Sequence, residues 1–173
     1  NGAGKLMASC FRYARGVLPS AVIESRLDSA FFNEIILGNM DDDNIEFTAS
    51  VPFDRFTELK TIIEERERWL TIDEKWSFFE AEWRPKSWTR DFRFIFIRQR
   101  VPVQRKGPLQ LDLFEPRDHD YDYKVMVTNK KGSAKSILLF HNGRGSQEGI
   151  FAQAKTDTQL DYTPTNSLNG NRI

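Results

Sequence analysis

An α/β fold with a mixed sheet and flanking helices is what the sequence predicts, on three observations. Both ends of the chain alternate strand-patterned with helix-patterned segments. The middle is aromatic and β-rich, broken by Pro- and Lys-containing turns, as in a meander of antiparallel strands. Finally, 39% of the 173 residues are apolar, fourteen Phe and four Trp among them, enough for a sizeable core in a chain of ordinary domain length.

The elements follow in order. Residues 5–17 carry apolar residues at roughly helical spacing and end before Leu18-Pro19, where a helix would stop. "AVIESRLD" alternates as a strand does, with Val22, Glu24 and Arg26 on one side and Ile23, Ser25 and Leu27 on the other, which sets Asp28 at the strand's C-terminal end. A short helix is expected over Ala30–Met40 with Ser29 as N-cap, followed by an acidic "DDDN" turn into the strand "IEFTASV". The run from Asp54 to about Trp69 keeps Phe56, Leu59, Ile62 and Ile63 on one face, with Asp54 placed to cap it. Then come the strand-like runs "WSFFEAEW", "RDFRFIFIRQRV" and "LQLDLF", a strand "YDYKVMVTN", a helix "SAKSILLFHN" and a last helix "SQEGIFAQAK". This divides the chain into an α/β part over 1–70, a β-rich insertion over 71–116 and a second α/β part over 117–173.

Lys+Arg and Asp+Glu are equal at 25 each, so net charge announces no partner, and a nucleic-acid site would have to arise from local arrangement. The single cysteine, Cys10, cannot form an intramolecular disulfide and reads as a small buried hydrophobe; no apolar run approaches the roughly 18 residues of a membrane span. These features point to a cytoplasmic setting. The ends of the sequence read as those of a fragment.

The stretch "HNGRGSQEGIFAQAK" puts His141, Arg144, Glu148 and Lys155 at spacings that would project from about one face of a continuous helix. An exposed Arg144–Glu148 pair, worth a few tenths of a kcal/mol, accounts for part of the pattern. It does not account for Gly143 and Gly145, which cost helix stability yet let backbone N–H groups approach an anion such as a phosphate.

The run from Phe140 to Lys155 closely resembles the last acidic motif of DDE transposases of bacterial insertion sequences, in the branch with the Tyr-Arg-Glu-Lys signature. Arg144, Glu148 and Lys155 match its spacing, and His141 stands at the tyrosine place. "RLDSAFF" resembles the second acidic motif, which makes Asp28 the middle acid. The resemblance implies a ribonuclease H-like fold in which three carboxylates hold two Mg²⁺ or Mn²⁺ ions. Asp28 and Glu148 would be two of the catalytic metal ligands, and Arg144, Lys155 and His141 would contact DNA. Two-metal chemistry suits such a cluster, one ion activating the attacking oxygen and the other stabilising the leaving one, about 3.5–4 Å apart. The first acid is expected upstream of Asn1, since residues 1–27 hold only one carboxylate, Glu24; the fragment alone is then expected to be inactive.

Among other candidates, Asp41-Asp42-Asp43 lacks the glycine and distal Glu of a calcium loop and reads as an acidic turn. His119 within "EPRDHDYDY" is a secondary metal candidate, more simply a solvated loop. The segment from Arg90 to Lys106 interleaves basic residues with Phe and Ile; it fits either an amphipathic strand with outward arginines or a strand tracking a nucleic-acid backbone through Arg98, Arg100, Arg105 and Lys106. The expected function is cut-and-paste transposition: metal-dependent cleavage at transposon ends, then strand transfer into target DNA, by a homodimer assembled on double-stranded DNA at the bacterial nucleoid. A related nuclease without strand transfer and an inactive DNA-binding remnant are the alternatives.

Overall fold

A computed structural model describes residues 2–101 and 121–143. "LQLDLF", "SQEGIFAQAK" and the residues Arg105, Lys106, His119, Arg144, Glu148 and Lys155 lie outside them. The described residues form a six-stranded mixed sheet flanked by helices. In chain order they are α1 (Gly2–Val17), β1 (Glu24–Leu27), a 3₁₀ turn (Ser29–Phe31), α2 (Glu34–Asp42), β2 (Glu46–Ser50), a second 3₁₀ turn (Phe53–Arg55), α3 (Thr57–Glu64), β3 (Leu70–Thr71), β4 (Trp76–Ala81), β5 (Arg93–Arg100), β6 (Tyr121–Thr128) and α4 (Ala134–Asn142).

The spatial order is β1-β2-β6-β5-β4-β3. β1 and β2 run parallel, joined by α2 as a strand-helix-strand unit needs, and every other pair is antiparallel. The β-rich middle therefore enters the same sheet as β1 and β2, through β6.

Alternation along each strand sorts the core into two layers. Phe47, Ala49, Phe79, Phe94, Phe96, Val125 and Val127 face one side, where Leu37, Met40, Leu59 and Ile63 of α2 and α3 cover them. Ile95, Ile97 and Met126 face the other, against Ala134, Ile137 and Leu138 of α4. Several of these side chains, Phe47 and Phe96 among them, are wholly buried, each such residue contributing roughly 1.5–3 kcal/mol of transfer free energy.

Local chemistry sets the element ends, and here the structure departs from expectation. Asp28, not Ser29, caps the first turn, accepting the Ala30 N–H at 3.0 Å. α2 begins only after Asn33, whose side-chain oxygen accepts the N–H groups of Ile35 and Ile36 at 3.0 and 3.3 Å. The acidic turn is shorter than the sequence implies, because Asp41 and Asp42 belong to α2. Asn44 then takes the left-handed conformation, φ 52°; the N–H of Ile45 reaches the Met40 carbonyl at 2.8 Å and that of Asn44 the Asp41 carbonyl at 3.0 Å, a Schellman closure. α3 has no side-chain cap at Asp54 and stops at Glu64. Cys10 is exposed rather than buried, on a helix with no buried residue that meets the core only through Met7 and Phe11.

The loop between β4 and β5 grips α2 at both ends. One Glu34 carboxylate oxygen accepts the Thr89 N–H, the Thr89 hydroxyl at 3.0 Å and the Arg90 N–H at 2.8 Å. Arg90 also forms a two-pronged pair with Asp42, both contacts 2.8 Å, and donates to the Gly38 carbonyl at 3.1 Å. A Cβ at Gly38 would sit 3.1 Å from the Arg90 side chain, so glycine lets the arginine lie across the helix.

Candidate functional site

The β1–β2 ladder pairs Glu24 with Glu46 and Arg26 with Thr48, so one face carries a line of polar residues: Glu24, Arg26, Glu46, Thr48 and Ser50. Asp28 has extended backbone, φ −85° and ψ −180°, and continues the alternation onto that face. α4 packs over the line.

His141 of α4 is 3% exposed, and its two ring nitrogens meet two hydroxyls of β2: Nδ1 lies 3.0 Å from Thr48 Oγ1 and Nε2 lies 3.1 Å from Ser50 Oγ. A hydroxyl both donates and accepts, so either neutral tautomer is satisfied. The neighbouring Phe140 ring carries two cations, the Arg26 guanidinium and the Lys130 ammonium, each 4.6 Å from its centroid. Lys130 is also ion-paired to both Glu24 and Glu46. Burial pulls its pKa down, but bonding to the two carboxylates outweighs that and leaves it raised. At the end of α4, a Cβ on Gly143 would come 2.7 Å from the Arg26 guanidinium. The helix terminus thus rests against Arg26, two residues before Asp28.

Asn129, just past β6, locks the start of the β6–α4 connection to this unit: its amide donates to Asp41 at 2.9 Å and to the Ile45 carbonyl at 3.0 Å, and its oxygen accepts the Phe47 N–H at 2.9 Å. The buried Thr128 hydroxyl donates to the Phe47 carbonyl at 2.6 Å.

The sequence-derived candidates separate into two places. Asp28 and His141 share the α4 face. His141 is turned into the sheet and supports α4 through the two hydroxyls of β2. Arg98 alternates with Phe94 and Phe96 and lies on the opposite face, its guanidinium between Trp69 and Tyr121 at 4.5 and 4.3 Å from the ring centroids. Arg100 is exposed at the end of β5, its N–H donating to the Lys75 carbonyl at 2.9 Å. Sequence reasoning missed Arg26, Thr48, Ser50 and Lys130. Thr48 and Ser50 were visible as alternating hydroxyls in "IEFTASV"; the roles of Arg26 and Lys130 needed the tertiary contact with Phe140.

Among the described residues no three His, Cys, Asp or Glu gather in a group able to hold a metal ion, and no helix is long and apolar enough to cross a membrane. One Asp28 oxygen already holds the Ala30 N–H. The described residues do not make a two-metal site by themselves. No protein-family model, curated protein or solved structure matches the chain.

Proposed function

We propose that the chain is part of the catalytic domain of a DNA transposase, with a ribonuclease H-like core, that cleaves transposon ends and transfers the freed strand into target DNA using Mg²⁺ or Mn²⁺. The observation that carries this reading is the placement of the α4 terminus. His141 clamps α4 to β2 and Gly143 rests on Arg26 beside Asp28. Glu148 follows Gly143 by five residues, a stretch that spans at most about 18 Å. A bound of that size is compatible with Glu148 lying near the strand end that carries Asp28.

On this reading Asp28 and Glu148, with a further carboxylate, are the metal ligands, and their oxygen donors suit a hard divalent ion. Bound ions would supply activation of the attacking oxygen and stabilisation of the leaving one. The chain's own contribution is positional. Arg26 and Lys130 hold Phe140, His141 fixes α4 to the sheet, and Arg144 and Lys155 contact the phosphates flanking the scissile bond. DNA-assembled dimers are part of the same proposal.

The test uses the complete protein with DNA carrying the element's ends. Asp28→Asn and Glu148→Gln should each reduce metal-dependent cleavage to background, with the wild type giving joined products. Nicks without joined products would replace the reading by a nuclease, and equal cleavage by wild type and Glu148→Gln would overturn it. A wild type that binds but never cuts would identify an inactive remnant.

A further inference from the structure

Among the described arginines, Arg84, Arg90 and Arg93 each have a carboxylate partner, and Arg26 and Arg66 each lie over one aromatic ring. Arg98 instead lies between two aromatic rings, and its Nε is the one buried side-chain nitrogen or oxygen among the described residues without a hydrogen-bond partner. Its direct cross-strand neighbours are Ser77 on β4 and Tyr123 on β6, so neither position opposite it is acidic. Trp69 is itself fixed edge-on to Phe79, ring centroids 4.6 Å apart, which limits where the guanidinium can go. A second guanidinium, that of Arg66, lies over the same Phe79 ring at 4.8 Å.

A planar cation held between rings is already ordered, so little conformational freedom is lost when it forms a pair. Arg98 as a whole is half-buried rather than buried; with its Nε sealed and no carboxylate opposite, the outer N–H groups of its fork are the ones an incoming oxyanion can engage. Exposed cations near it, Arg66 and Arg100, extend the positive surface, and Glu64, Glu65 and Glu67 on the same stretch as Arg66 set a limit to it.

We propose that Arg98, held between Trp69 and Tyr121, is a phosphate-binding residue that contacts the DNA backbone on the face of the sheet opposite Asp28. This rests on the DNA-acting function proposed above and adds to it a second line of contact, remote from the cleavage site. DNA engaged at both places would have to pass around an edge of the sheet.

The experiment measures binding of a fluorescently labelled 20-nucleotide oligonucleotide and its duplex to the 173-residue chain, in EDTA, by anisotropy across a salt series. Arg98→Met, which keeps bulk but not charge, should weaken binding about tenfold at low salt and reduce the log–log salt slope by about 1, the signature of one lost phosphate contact. Arg98→Lys should keep the slope while losing affinity, because the ammonium cannot reproduce the planar fork. A purely structural role would lower thermal stability but leave the salt slope of the folded variant unchanged, and that result overturns the proposal. So does a wild type that binds neither nucleic acid at low salt. Inorganic phosphate at matched ionic strength should displace no more oligonucleotide than chloride does; displacement at low-millimolar phosphate would reassign Arg98 to a free anion. Because the assay needs neither metal nor Glu148, an Arg98 effect accompanied by cleavage insensitive to Glu148→Gln would sustain this contact while removing the transposase reading.

Discussion

His141→Ala tests whether α4 is pinned to the sheet by the hydroxyl pair of β2. The substitution removes two hydrogen bonds, each worth about 0.5–1.5 kcal/mol net. It also strands the Thr48 hydroxyl, which is 0% exposed, at a cost of about 1–3 kcal/mol for a buried polar group without its partner. Counting the stranded Thr48 hydroxyl and the lost Ser50 bond once each, the total is about 1.5–4.5 kcal/mol before the space left by the ring. For a chain of 173 residues that is a fall in Tm of roughly 3–18 °C. Urea unfolding followed by tryptophan fluorescence gives the free energy directly. A double-mutant cycle then separates bonding from packing: Thr48→Val takes the partner from Nδ1, His141→Phe takes it from both the Thr48 and the Ser50 hydroxyl, and the double variant replaces both ends of the Thr48 bond with apolar atoms. The double variant should be less destabilised than the sum of the singles, with a coupling of about 1–2 kcal/mol. Singles that add to within about 0.3–0.5 kcal/mol would refute the clamp.

Two further outcomes follow from charge. Lys130→Met leaves Glu24 and Glu46 facing each other on adjacent strands with no cation between them, and should destabilise by about 1–2 kcal/mol; adding Glu46→Gln should recover much of the loss in the same urea assay. The raised Lys130 pKa means that its contribution is complete below about pH 10.5 and fades as pH climbs through the folded value. On the acid side, hydrogen bonds from Arg90 and Thr89 hold the Glu34 pKa below its ordinary 4.5, and bonding to Arg90 does the same for Asp42, below 3.8. Their stabilisation is present above those ordinary values and lost as pH falls through the lowered ones. The urea midpoint should therefore decline below about pH 4.5, and Glu34→Gln should flatten that decline; an unchanged pH profile in the variant would remove the loop-to-helix tie from the account.

The strand-helix-strand unit from Glu24 to Ser50 was legible because its alternation, caps and turn residues all act locally. Asp28 at the end of β1 came with it. The cap of α2 was misread because Ser29 and Asn33 are both good caps before one apolar run, and side-chain geometry alone decides between them. α3 was drawn too long: Glu and Arg favour helix, but Trp69 turns in to pack on Phe79 and Tyr123, and this tertiary contact overrides the propensity of the "EERER" tract. The sheet order was not legible, since nothing local announces that β6 lies between β2 and β5. Asp28 and His141 were picked out as candidates by motif and spacing. The contacts around His141 were not legible, because Arg26, Thr48, Ser50 and Lys130 meet Phe140 and His141 only after distant segments have packed.

The position of β6 also bears on how the chain is made. The Thr128 hydroxyl and the Phe47 carbonyl it binds are 81 residues apart, and β2 has no antiparallel neighbour until β6 arrives. During synthesis β2 must wait with one edge open while the intervening residues emerge, a window in which a second nascent chain can pair with it. Pairing over such a separation is slow, so the closing of this edge of β2 depends on a strand that the ribosome delivers about 80 residues later.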